Sequence, residues 1–181
     1  MELFYGILFV IIVFGIIAIV YVYSYNKIQH FKSKIEEAES LIDENLRTKY
    51  DTLVNVDTLL MKLLKNDKHY FKDIDKLKKE DISNFDLDRK LTEYENLLKQ
   101  IKIDNSKLSD NKDFKELTNE LKVNDEKLAA VKTYYNRYTS DENELIRTFP
   151  SNIVSKMHGI NIKPFFDGKN MQDDNVEDFK F

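Results

Sequence analysis

The sequence contains no cysteine and no tryptophan, and only four glycines and two prolines in 181 residues. Without cysteine there are no disulfides, no thiolate metal ligands and no thiol nucleophile. So few glycines and prolines exclude folds built on many tight turns, such as β-sandwiches and barrels, and leave little for phosphate-cradling loops. Arginine is scarce too, standing only at positions 47, 89, 137 and 147, so lysine carries most of the positive charge. Lysine lacks the planar bidentate fork that reads phosphates and bases. With 28 basic against 32 acidic residues and a formal net charge of -4, the chain has no overall basic character. A nucleic-acid partner is therefore not expected. A length near that of one typical domain sets the expectation of one folded unit.

What is present begins with residues 3–23, LFYGILFVIIVFGIIAIVYVY, an apolar run without a charge. As a helix it measures roughly 31 Å at ~1.5 Å per residue, enough to cross a hydrocarbon core of about 30 Å. Tyr5 at one end and Tyr21, Tyr23 and Tyr25 at the other match the aromatic belts of membrane interfaces. A cleaved signal peptide would want a positive n-region, a shorter apolar stretch and small residues at the cleavage site. Here the n-region is Met1-Glu2, the run is too long, and Val22-Tyr23-Ser24 is a poor cleavage site. No Lys or Arg precedes the run, whereas Lys27, Lys32 and Lys34 follow it. The positive-inside rule then places a short N-terminus outside and the C-terminal body in the cytoplasm. Residues 1–24 thus read as a membrane anchor, with the lipid bilayer as partner through residues 3–23.

From Tyr25 to about Lys65, Ile28, Ile35, Ile42, Leu46, Leu53 and Leu60 recur at spacings of seven or four, the signature of a helical apolar stripe. Glu36, Glu37, Asp43, Glu44, Arg47 and Lys49 supply its solvated face. Asn66–Phe85 reads as a turn and the opening of a second helix, whose pattern sharpens at Leu87, Leu91, Tyr94, Leu98 and Ile101. Asp104–Asp113 is turn chemistry, with Asp110 as the N-cap of a third helix. That helix carries Phe114, Leu117, Leu121, Leu128, Val131, Tyr135, Tyr138, Leu145 and Phe149, with Asn124 and Glu142 as polar residues in the stripe. Pro150 ends it, and Ser151 caps a short fourth helix over Asn152–His158 with Gly159 at its C′ position. Long helices joined by polar turns bury such stripes most simply by packing antiparallel. The expected fold is all-α: a transmembrane helix continuing into an antiparallel, four-helix-bundle-like body of three long helices and one short, over residues 25–166. Residues 167–181 form an acidic tail.

Catalytic and metal constellations are sparse. A di-iron bundle needs Glu-x-x-His pairs, but the residues three before His30, His69 and His158 are Lys27, Asn66 and Ser155. There is no HExxH and no GxSxG, and Gly168-Lys169 lacks the rest of a P-loop. The carboxylates of Asp167–Asp178 miss EF-hand spacing. The expectation is a non-enzymatic chain with no catalytic residue, cofactor or metal. Two features invite more. Tyr134, Tyr135, Asn136, Tyr138 and Asn143 form an amide and tyrosine cluster. It reads either as core with buried polar partners, with Asn55 facing the same layer, or as a partner-docking face. Phe165, Phe166, Phe179 and Phe181 near the C-terminus either fold back on the bundle or enter a partner's groove.

These residues also carry a family resemblance. Tyr25-Asn26, Glu36-Glu37-Ala38, Ile42-Asp43, Leu46-Arg47 and the Asp51/Leu53/Asn55 cluster resemble the first half of LemA proteins. Tyr135-Asn136, Asn143, Ile146, Phe149-Pro150-Ser151-Asn152, Gly159, Phe165-Phe166 and the final phenylalanine are similar to the closing half. The sequence departs from the family pattern at Glu39, Val54 and Glu142, where Trp, Pro and Tyr are common. The resemblance implies a single-pass bacterial inner-membrane protein with a cytoplasmic helical bundle and no assigned activity. Tyr25, Asn26, Asn55, Tyr135, Asn136, Asn143, Phe149, Pro150, Ser151 and Asn152 are then the candidate interaction or structural-motif residues. The expected role is a scaffold or protein-interaction module with unidentified protein partners, self-association included. The alternative is a regulatory subunit of a membrane protease or transporter.

Overall fold

The computed structural model describes residues 1–65, 69–77 and 82–166. They form five α-helices and one 3₁₀ turn, with no strand among the described residues. The helices are α1 (Glu2–Leu64), α2 (Ile74–Leu77), α3 (Asn84–Asp104), α4 (Lys112–Arg147) and α5 (Ser151–Met157), and the 3₁₀ turn is Ser106–Asp110. The all-α architecture with three long helices is as the sequence leads one to expect. The acidic tail at 167–181, including Phe179 and Phe181, lies outside the described residues. The chain divides into two compact units, Ala38–Thr133 and Met1–Glu37 with Tyr134–Phe181. Helices α1 and α4 contribute a stretch to each.

In the Ala38–Thr133 unit the stripe of α1 is buried as its spacing requires: Ala38, Ile42, Leu46, Leu53, Val56 and Leu60 are all sealed from solvent. From α3, Leu91, Leu98 and Ile101 face them, and from α4, Phe114, Leu121 and Leu128. Cross-helix pairs fix the directions. Lys49 meets Asp125 while Thr52 meets Glu120, so α4 runs antiparallel to α1. Asp88 pairs with Lys132 on α4, whereas Glu95, two turns further along α3, shares Lys49 with Asp125. Helix α3 is therefore also antiparallel to α4, and α1 and α3 run the same way.

The reason lies in the connection. Residues 69–77 descend alongside α1 instead of turning directly into the next helix. Asp57 Oδ1 accepts from the backbone N–H of Tyr70 at 2.8 Å and of Phe71 at 3.2 Å. Asp57 Oδ2 lies 2.6 Å from His69 Nδ1. Phe71, Ile74 and Leu77 are buried, and Tyr94 donates its hydroxyl proton to the Lys72 carbonyl. Asn66–Phe85 is thus more than a turn and a helix opening: it holds the separate one-turn α2, and α3 starts only at Asn84. Ser83 caps α3, its Oγ accepting from the Asp86 N–H at 3.1 Å. The turn before α4 differs from expectation as well. Asn111, not Asp110, supplies the cap, its side-chain oxygen accepting from the Phe114 N–H at 2.9 Å.

In the other unit, the ring of Phe31 of α1 lies tilted against that of Tyr138 of α4 at a separation of 6.2 Å, and Ile28 shares a core with Ile146 and with Val154 of α5. The pairings 28 with 146 and 31 with 138 again make α1 and α4 antiparallel. Helix α4 stops at Arg147, three residues before Pro150. Ser151 is not the cap of α5 but its first residue, and Pro150 occupies the cap position without a side-chain hydrogen bond. Ser151 itself is buried. Gly159 does take the left-handed conformation expected past the helix end, with φ at 63°.

Candidate interaction sites: a strap on α4 and a buried charge cluster

Residues 163–166 lie along α4 as an extended strap held by side chains one to two turns apart. Asn143 is fully buried and presents its whole amide to one residue of the strap. Its Oδ1 accepts from the Lys163 N–H at 2.9 Å and its Nδ2 donates to the Lys163 carbonyl at 2.8 Å. Seven residues earlier on the same face, Asn136 Oδ1 accepts from the Phe166 N–H at 2.8 Å. Tyr135, just before Asn136, donates its hydroxyl proton to the carbonyl of Pro164 at 3.2 Å, between the two anchored strap residues, and its ring meets Phe166 edge-on at 6.2 Å. Phe165 is buried. An asparagine amide is suited to this task because it offers a donor and an acceptor side by side, matching a peptide group. Of the two readings of the amide and tyrosine cluster, these contacts give the structural one a definite form, with the chain's own C-terminal segment as the bound peptide. Phe165 and Phe166 accordingly fold back.

The other sequence candidates fall elsewhere. Tyr25 is half-buried and lies 4.9 Å, ring to ring, from His158, with Tyr21 stacked against it at 6.4 Å. Asn26 is exposed. Asn55 is exposed too, on the outer side of α1 in the Ala38–Thr133 unit, so it is not a buried polar partner. Phe149 stands in solvent, Pro150 is half-buried, and Ser151 is buried. Asn152 is half-buried, its Oδ1 unpaired among the described residues.

One constellation was misassigned in the sequence. Lys49, placed there on the solvated face of α1, is only 2 % exposed. Its Nζ lies 2.9 Å from Glu95 Oε2 and 2.8 Å from Asp125 Oδ1. Burial works against the Lys49 charge, but hydrogen bonds to Asp125 and Glu95 outweigh it and hold the ammonium above its ordinary value. Burial, reinforced by Asp125, pushes the Glu95 carboxyl up to about 7, with Lys49 pulling the other way. Near neutral pH the Glu95 carboxyl is therefore poised between its two forms beside the Lys49 ammonium. The signal was available: Lys49 sits three residues after Leu46 and four before Leu53, on the buried stripe itself. Glu95 stands in the same way between Leu91 and Leu98. Elsewhere in this unit, Asp43, Arg47, Tyr50, Asp51, Leu77 and Leu87 are among the residues lining an open cleft of about 310 Å³.

Among the described residues, no group of three His, Asp or Glu is arranged to hold a metal ion. What the geometry defines is an all-helical protein whose N-terminal helix is long and apolar enough to cross a membrane. The chain belongs to the LemA family, whose model matches residues 38–181. No curated protein and no solved structure matches it.

Proposed function

We propose that this chain is a membrane-anchored, non-enzymatic scaffold or protein-interaction module of the bacterial inner membrane, its helical body in the cytoplasm. The observation that carries the reading is in α1. An 18-residue window there has a mean hydropathy of 3.1, and none of it is covered by the rest of the protein. Burying such a surface in lipid is worth far more than leaving it in water. The absence of Lys and Arg before the run, and Lys27, Lys32 and Lys34 after it, support the orientation. Membership in the LemA family supports the bacterial membrane assignment through the resemblance described above.

The cysteine-free sequence makes the test clean. One cysteine replaces exposed Asp110, and intact cells are treated with a membrane-impermeant maleimide. Protection until lysis, with the intact mass of the membrane-bound protein retaining residues 1–24, is the expected result. Labelling of intact cells overturns the orientation, and a mass lacking the N-terminal run overturns the anchor. Crosslinking in the same cells addresses the role. Several partners or self-association fit a scaffold, whereas a single stoichiometric enzyme partner would replace that role with regulation of the enzyme.

A further inference from the structure

Helix α5 buries one side and leaves the other bare. Ser151, Val154 and Ser155 face inward, Val154 packing with Ile28 and Ile146. Ile153 and Met157, one turn apart on the opposite side, are 52 % and 69 % exposed, and Phe149, two residues ahead of the helix, is 75 % exposed. A water-facing cap gains nothing from three large apolar side chains left bare. Their position says what covers them. The C-terminal end of α5 is tied to α1 by His158, whose Nε2 lies 2.7 Å from the Tyr21 hydroxyl and whose ring packs on Tyr25. Tyr21 is two residues from the end of the apolar run, about 3 Å along the helix axis. The bare side of α5 therefore stands beside the segment of α1 where a spanning helix leaves the hydrocarbon for the headgroups.

Charge agrees. The chain carries 32 acidic residues, yet none falls between residues 3 and 35 or between 145 and 166. Those two stretches, both in the same unit, hold Lys27, Lys32, Lys34, Arg147, Lys156 and Lys163. Lys156 is exposed next to Met157, where its stem can lie along apolar surface while its ammonium reaches a phosphate.

We propose that α5 is a second membrane contact, with Phe149, Ile153 and Met157 seated in the interfacial zone of an anionic bilayer and Lys156 on its headgroups. This inference rests on α1 spanning that bilayer. It deepens the anchor from a single tether into a two-point attachment that fixes the orientation of this unit on the membrane.

The test uses the full chain in vesicles of phosphatidylcholine with a minority of phosphatidylglycerol. Single cysteines at Ile11, Ile153 and Met157 carry an environment-sensitive fluorophore, and lipids bearing a nitroxide near the headgroup or deep in the acyl chain serve as quenchers. Circular dichroism confirms that each labelled protein keeps its helix content. The expected result is loss of most of the fluorescence at Ile11→Cys with the deep quencher, and at Ile153→Cys and Met157→Cys with the shallow one. Adding the substitution Lys156→Glu weakens shallow quenching, as does removing phosphatidylglycerol. If Ile11→Cys is quenched while both α5 positions stay in water, the α5 contact is overturned and the span stands. If both α5 positions are shielded from water but unquenched, a protein neighbour covers them and the lipid proposal fails. If Ile11→Cys itself is in water, the spanning reading fails and takes this one with it.

Discussion

At the scale of single residues, the polar groups that matter most are buried ones whose partners are peptide groups or opposite charges. Asn143 closes two hydrogen bonds on Lys163, so Asn143→Ala removes the partners of a half-buried N–H and carbonyl. The expected loss is about 2 kcal/mol in unfolding of the detergent-solubilised protein, together with faster amide exchange at Lys163. Asn143→Asp keeps the acceptor but not the donor, and is expected to release the strap in the same way. Glu95 gives a pH signature. Burial holds its pKa at about 7 against an ordinary 4.5, so between those values the folded protein keeps a proton that the unfolded chain has lost. Stability from this group is full below pH 4.5 and declines as pH rises to about 7. Glu95→Gln is expected to flatten that decline, by an amount on the order of 1 kcal/mol once solvent screening is allowed for. Denaturant titrations on either side of this pH window check it, and an unchanged slope would remove Glu95 as its source. Lys49, raised above 10.5, adds stability that is lost only in strong alkali.

At the scale of elements, the return of residues 69–77 along α1 sets the direction of everything after it. That segment has little helix of its own, and Asp57 ties its start through two backbone N–H groups and His69. Asp57→Ala is expected to accelerate amide exchange across 69–77 while the exchange of α1 itself stays slow, as peptide-resolved mass spectrometry would show. Helix α3 depends on a local device instead. Its cap, Ser83, satisfies the Asp86 N–H, and Ser83→Ala should cost about 1 kcal/mol by fraying the first turn. The apolar spacing of α1, α3 and α4 was plain in the sequence, because a period near 3.6 is a property of neighbours along the chain. The parallel course of α1 and α3 was not. A polar stretch between two helices carries no mark that distinguishes a tight reversal from a segment long enough to come back.

At the scale of the whole molecule, the uncovered apolar part of α1 divides the chain into a stretch that water disfavours and a remainder with buried stripes of its own. Removing residues 3–23 is expected to shift the protein from the membrane fraction to solution while leaving a cooperatively melting helical protein. Circular dichroism of that shortened chain decides the matter, since a disordered spectrum would mean that the body needs its anchor in order to fold. The candidate interaction residues divide in the same way between what was and was not readable. Tyr135, Asn136 and Asn143 could be seen as a cluster because they share one face of α4. Their partner, the backbone of residues 163–166, could not, because a peptide group looks alike wherever it occurs in a sequence.

The sequence alone determined the helical class, the three long helices, the apolar run and the family, since each rests on composition, short-range period or ordered motifs. It also held the buried positions of Lys49 and Glu95, hidden in the stripe by their polarity. Only the tertiary structure decided that Lys49 joins Glu95 to Asp125, that Asn55 faces solvent, and that Asn111 rather than Asp110 caps α4. The docking of α5 beside Tyr21 belongs there too. The physical reason is that a side chain's environment is set by segments tens of residues away. The free energy that chooses among those segments comes from burial summed over the fold, and no local window contains it.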